Sequence, residues 1–277
     1  MFWQGCNSTA LDAGESAVAH VNHCAGIRST TLYSCRLMDK DYGQIYEELY
    51  RHHWWFRVRE EILLQVIDGL NIAKPAEILD VGCGNGLFFG QLERLGNVRG
   101  IEVDDSLIPA NSPNRDRIFN KPLGDPQYAM LRFDLITALD VIEHIEDDCE
   151  AVADMLGMLR PGGKLLLTVP ASMMLWDRHD EINRHYRRYS RESLRNLLAG
   201  SGRIITLKYL FHGLFLPKLA FRTFNRVFQG QVAQHAMPPA PINRVMKSLC
   251  RIEYKTLGRL RMPFGTSLLA VVEKAGG

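Results

Sequence analysis

Two acids and three glycines are the first residues in this chain whose types and spacing could do chemistry. Asp80 closes the apolar run Ala76-Glu77-Ile78-Leu79, glycines follow at Gly82, Gly84 and Gly86, and Glu102 stands near the end of a second run, Val98-Arg99-Gly100-Ile101-Glu102-Val103. A backbone that bends sharply beside a ligand needs dihedrals that glycine adopts cheaply and no Cβ in the way, which suits Gly82 and Gly84. Gly86 would let a following helix pack close. A carboxylate at Glu102 can accept hydrogen bonds from two ribose hydroxyls. One at Asp80 would repel a pyrophosphate but attract a cationic amino group. The set therefore suits a nucleoside that carries an amino acid better than it suits a dinucleotide, although nicotinamide enzymes share both the glycine turn and an acid like Glu102. Here Leu87 occupies the last glycine position of the dinucleotide pattern.

A second group of candidates lies further along. Asp140 follows the apolar run Phe133–Leu139 and opens the block Asp140-Val141-Ile142-Glu143-His144. Asp140 is expected to line the same pocket, while Glu143 and His144 are expected to begin the next helix. His144 is also a candidate general base, because an imidazole titrates near physiological pH. The segment 176–189, Trp-Asp-Arg-His-Asp-Glu-Ile-Asn-Arg-His-Tyr-Arg-Arg-Tyr, is denser in His, acid and Arg than a connector needs. In one reading His179 or His185 removes a proton from an acceptor while Arg187 and Arg188 hold its phosphate or carboxylate. In another the segment is a salt-bridged loop. The histidine spacing matches no standard zinc pattern, and no metal is assigned.

These residues need elements to position them. The chain alternates apolar strand-like runs with helical periodicity, which predicts an α/β fold: strands at 76–80, 98–103, 118–119, 133–139, 164–169, 203–209 and 266–273. A helix bearing Phe88, Leu92 and Leu95 should follow the glycine turn. Another should run from about Asp147 to Leu159, and a third, capped by Ser190, should stop at Gly200. Asp125 falls in a loop where an adenine contact is expected. In a doubly wound sheet the ligand lies beyond the carboxyl ends of the strands, so Asp80, Glu102, Asp140 and the 176–189 segment should face one site.

Residues 76–172 resemble the class I S-adenosylmethionine-dependent methyltransferases, in particular the small-molecule, ubiquinone-biosynthesis-like (type 11) group. The Asp-x-Gly-x-Gly-x-Gly turn at 80–86, the acid at 102, the Asp-Val-Ile-Glu-His block and Leu159-Arg160-Pro161-Gly162-Gly163 carry the resemblance. It implies a Rossmann-like seven-stranded sheet with the last strand antiparallel, S-adenosylmethionine as cofactor, and methyl transfer to an acceptor oxygen, or less readily to nitrogen or carbon. It also implies that an N-terminal arginine meets the cofactor carboxylate, which favours Arg59 within His53-Trp54-Trp55-Phe56-Arg57-Val58-Arg59. Those aromatics either close over the cofactor's cation or seal the sheet edge. The quinone group has a Glu-x-x-Glu-His block associated with a divalent cation, from which Asp140 departs by one methylene. Enzymes that methylate base amines or cytosine carry Asn-Pro-Pro-Tyr or Pro-Cys sequences here, and this chain has neither. A nicotinamide-dependent oxidoreductase and a catalytically silent cofactor-binding scaffold are the alternatives.

The 277 residues carry 33 basic and 31 acidic groups, a net charge of +2 that marks no nucleic-acid binder. Six scattered cysteines without paired spacing read as free thiols in a reducing, cytoplasmic setting. Residues 1–37 lack periodicity and read as a disordered leader, with Met38 as a candidate natural start. Residues 38–75 form an N-terminal helical segment, and 76–277 the main domain. Between the last two strands lies an insertion, 211–263, with Lys218, Arg222, Arg226, Arg244, Lys247, Arg251, Lys255, Arg259 and Arg261 against Glu253 alone. Interleaved apolar residues make it either a helical lid with its greasy side on the core or a peripheral membrane contact that admits a lipid-like acceptor.

Overall fold

The computed structural model describes residues 47–200, 202–228, 237–258 and 262–276. The expected leader, 1–37, and the candidate start at Met38 lie outside the described residues.

Seven strands form one sheet: β1 (Ala76–Val81), β2 (Gly96–Ile101), β3 (Ile118–Phe119), β4 (Phe133–Leu139), β5 (Leu159–Pro170), β6 (Arg203–Leu210) and β7 (Ser267–Glu273). Their order is β3-β2-β1-β4-β5-β7-β6, and β7 runs antiparallel to both neighbours while β1 to β5 pair parallel. This is the doubly wound arrangement implied above. The central strands are mostly apolar because both faces are covered, as parallel sheets require. Alternate residues divide between two cores: Leu79, Ile136, Leu165 and Leu167 pack on one face, and Ile78, Leu135, Leu166, Leu269 and Val271 on the other.

The helices are α1 (Trp54–Asp68), α2 (Phe89–Leu92), α3 (Asp148–Met158), α4 (Arg178–Ile182), α5 (Arg191–Leu197), α6 (Phe215–Phe228) and α7 (Ala240–Thr256). α2 is shorter than its apolar spacing predicts. The Leu95 carbonyl already accepts from the Ala76 amide at 2.9 Å and β2 starts at Gly96, so one turn is all that fits. A Cβ on Gly96 would lie 2.0 Å from the Ala76 carbonyl oxygen, which explains the glycine at that close approach. Ser190 caps α5 as expected, its hydroxyl accepting from the Ser193 amide.

Two expectations are corrected. Glu143 and His144 do not begin the next helix. They sit in a separate 3-10 turn, Ile142–His144, and α3 starts only at Asp148, where the Asp147 carboxylate accepts from the Glu150 amide. The fifth strand, expected over 164–169, starts earlier. β5 begins at Leu159, which pairs with Phe133, and the register slips before Leu135 pairs with Lys164. Gly162, at φ +75°, takes up that irregularity.

Candidate active site

The glycine turn leaves β1 with Gly82, Gly84 and Gly86 all at positive φ, between 52° and 71°. A Cβ on Gly82 would come within 2.5 Å of a Val141 methyl, whereas one on Gly84 would meet nothing, so the turn is tight on its inner side and open on the other. Glu102 sits just past β2, and its carboxylate accepts from the amides of Gly84 and Asp104, each at 2.9 Å. That pins the turn to the tip of β2. A carboxylate offers about four acceptor sites, so two remain for a ligand's hydroxyls. Burial raises the Glu102 pKa above the usual carboxylate value, and the two amides oppose the rise.

Asp80 lies at the same end of β1, 4% exposed, and accepts from the Thr137 hydroxyl at 2.6 Å. Burial pushes its pKa up to about 7, with Thr137 and Arg59 pulling the other way. Beside it opens a cavity lined by Tyr50, Phe56, Arg59, Asp80, Gly82 and Leu139, among others. The aromatic helix thus closes over the turn. Arg59 is the arginine that reaches inward, its guanidinium 2.8 Å from Asp140 and 2.5 Å from the Thr168 hydroxyl, with the Trp55 ring against it. Arg57 pairs with Glu60 instead. Asp140, at φ +59°, also accepts from Thr168 at 3.1 Å. Asp80, Glu102, Asp140, Arg59 and the three glycines therefore gather around the carboxyl ends of β1, β2, β4 and β5. Asp125 does something local: it caps a 3-10 turn by accepting from the Gln127 amide.

The second cluster is built on α4 and the loop after it. Asp177 and Asp180 form a reciprocal cap on α4. Asp180, fully buried, also accepts from His185 Nδ1 at 2.8 Å and from Arg188 Nε through both oxygens at 2.8 and 2.9 Å. Burial alone would raise its pKa, but the hydrogen bond from His185 and the charge of Arg188 outweigh it and hold the carboxyl down at about 2. Because a carboxylate only accepts, His185 carries its proton on Nδ1 and leaves Nε2 free to accept. The His185 ring stands edge-on to His144 at 4.6 Å and to His179 at 6.2 Å. The three candidate histidines are therefore one cluster. The amide of Tyr186 donates to the Glu143 carbonyl at 2.8 Å, which ties this loop to the turn that follows β4.

Glu143, expected only to begin a helix, has an environment that says more. Both carboxylate oxygens are buried with no hydrogen-bond partner, and burial together with Asp140 raises its pKa well above the usual value. Burial and the neighbouring His185 lower the His144 pKa to about 4. Glu143, His144 and His185 each offer one atom able to ligate a cation, all within 4.8 Å of one another. The two arginines expected to hold an acceptor anion are occupied within the chain: Arg188 by Asp180, and Arg187 by Asp148 at 2.8 Å and the Glu146 carbonyl at 2.6 Å.

Two contributors escape the sequence reading: Thr137 and Thr168 hydrogen-bond Asp80 and Asp140, and their only signal is a hydroxyl inside a largely apolar stretch of strand. Asp180, which the sequence offers with His179 and His185 only as a possible metal ligand, is instead the clamp of the loop.

Comparison with known proteins agrees with the fold. A family model described as a methyltransferase domain matches residues 46–203, more than half of the chain. The chain is 28% identical over 135 residues to a ubiquinone biosynthesis O-methyltransferase from Coxiella burnetii, covering 46% of this chain and 53% of that protein. It thus spans about half the length of that relative. It is 27% identical over 204 residues to a probable S-adenosylmethionine-dependent methyltransferase from Mycolicibacterium smegmatis, covering 70% and 76%. Among solved structures, a SAM-dependent methyltransferase from Archaeoglobus fulgidus superimposes with a TM-score of 0.54 at 16% identity, over 84% of this chain and all of that one. The [4+2]-cyclase SpnF does so with a TM-score of 0.53 at 18% identity, over 87% of this chain and 98% of that one. These two likenesses speak for the fold alone, and a cyclase among them shows that the fold does not dictate the reaction.

Proposed function

The chain belongs to the methyltransferase-domain family, and from that premise we propose that it transfers the methyl group of S-adenosylmethionine to an oxygen of a small or lipid-like acceptor. The cradle fits the cofactor: Gly84 leaves an open approach, Glu102 offers acceptors to a ribose, and Asp80 and Arg59 offer opposite charges to an amino acid's two ends. When bound, S-adenosylmethionine supplies an activated methyl on a sulfonium leaving group, so the protein's work is mainly to align and desolvate.

The observation that carries the oxygen-acceptor reading is the Asp180–His185 pair. It stands beside the turn that follows β4, where an acceptor would approach the cofactor pocket. Asp180 fixes the tautomer and holds the ring, so that Nε2 of His185 would take the proton of the acceptor hydroxyl. His144, neutral above about pH 4, packs against that ring without competing as a cation. His185→Gln should lower transfer by roughly 10²- to 10⁴-fold while leaving S-adenosylhomocysteine affinity unchanged. The readout is tritiated methyl entering the organic phase of a cell extract. Undiminished transfer by the variant would remove His185 from this role.

The unpartnered Glu143 oxygens favour a second reading, in which a divalent cation sits between Glu143, His144 and His185. Prior treatment with EDTA separates the two. The proton-acceptor reading predicts unchanged transfer, and the cation reading predicts loss that added magnesium or manganese restores.

A further inference from the structure

The two helices of the insertion are turned the wrong way round for a soluble lid. A surface helix normally buries its apolar stripe and solvates its charges. On α6 Lys218 and Arg222 point inward: Arg222 Nε donates to the Trp176 carbonyl at 2.7 Å, and Lys218 Nζ lies 3.9 Å from the Asp177 carboxylate. The greasy residues point outward, with Leu216 67%, Phe221 48% and Phe224 57% exposed. α7 repeats the arrangement. It rests on α1 through Cys250, the ion pair of Arg251 with Glu61 and the bond from the Trp54 amide to Asn243, and its outer side carries Ile242, Val245, Leu249 and Ile252, each more than half exposed.

We propose that these outward apolar faces of α6 and α7 dock the protein on the surface of an anionic lipid bilayer. Three observations choose that occupant. Ile242, Val245, Leu249 and Ile252 recur at i, i+3, i+7 and i+10, a continuous stripe on one side of a 17-residue helix, as interfacial helices display. The rim of that stripe is cationic, since Arg244 and Lys255 are exposed on α7. The one acid on α7, Glu253, is consumed by the amides of His212 and Gly213. A second copy of the chain would bring the same cations face to face across a two-fold axis, which disfavours self-association and suits anionic headgroups. No described helix is long and apolar enough to cross a membrane, so the contact is in the interface plane.

The proposal deepens the lipid-like-acceptor reading and gives it a delivery route, since α6 leans on the 173–177 segment that leads into α4. Its test needs no methyl transfer, so the two can fail separately. Full-length protein is sedimented with vesicles of pure phosphatidylcholine and with vesicles containing a third phosphatidylglycerol. Phe221→Asp/Phe224→Asp and Leu249→Asp/Ile252→Asp variants are tested alongside, with S-adenosylhomocysteine binding as the check on folding. Binding to the anionic vesicles is expected, falling at least about tenfold in each folded double variant and about fivefold for Arg244→Ala or Lys255→Ala, and weakening with salt. Absence of wild-type binding would overturn the proposal, as would equal binding by the folded double variants. A wild-type dimer that the same substitutions dissolve, without vesicle binding, would overturn it in favour of a protein interface.

Discussion

Asp80 is a carboxyl whose ordinary pKa would leave it ionised at neutral pH, yet burial at the tip of β1 lifts it to about 7. A ligand ammonium needs the ionised form. Below pH 7 the free protein holds a proton on Asp80 that binding must expel, so affinity falls with acidity, by as much as about tenfold per pH unit. Above it the penalty vanishes. Calorimetric titration with S-adenosylhomocysteine from pH 5.5 to 8.5 should show this rise and plateau, with proton release on binding below pH 7. Asp80→Asn should bind weakly with no such rise. The folding linkage has the opposite sign: a raised acid stabilises the unliganded fold fully below its unfolded pKa of about 4, and that contribution is lost as pH climbs through 7. A flat affinity profile would show that Asp80 does not meet the ligand's cation.

At the scale of elements, α4 and its loop depend on one buried carboxylate. Asp180 caps the helix with Asp177, holds His185 and neutralises Arg188, whose side chain is 2% exposed. Removing one partner of such a pair strands the other charge, so Asp180→Ala should cost about 3–5 kcal/mol if the loop stays packed. The measurement is urea unfolding together with hydrogen exchange, which should show lost protection confined to residues 176–189. A change below about 1 kcal/mol would contradict the clamp. Strand positions and the glycine turn were legible because burial on both faces writes apolar runs, and a ligand-side bend writes glycine. The pairing of Asp180 with His185 was not, because nothing local separates a salt-bridged loop from a histidine held for proton transfer. The same limit hid the direction of α6 and α7. Amphipathic spacing locates two faces but leaves open whether the greasy one covers the core or meets a membrane. Which face turns inward depends on tertiary partners such as the Trp176 carbonyl and Glu61.

For the whole molecule, the pieces lie along one edge of the sheet. The cofactor cradle forms at β1 and β2, the Arg59–Asp140–Thr168 set at β4 and β5, and the histidine cluster beside it, with α1 and α6 leaning over. A doubly wound sheet places its ligands at that edge whatever the chemistry, so the fold leaves open a nicotinamide cofactor or a silent scaffold, and the carboxylates must decide. The most direct measurement is a calorimetric comparison at pH 8 of S-adenosylhomocysteine and NADH, on the native chain and on Glu102→Gln. One S-adenosylhomocysteine should bind per chain and NADH should not, with an affinity at least about tenfold weaker in a Glu102→Gln variant that remains folded. NADH binding in place of S-adenosylhomocysteine, or indifference to Glu102→Gln, would contradict it.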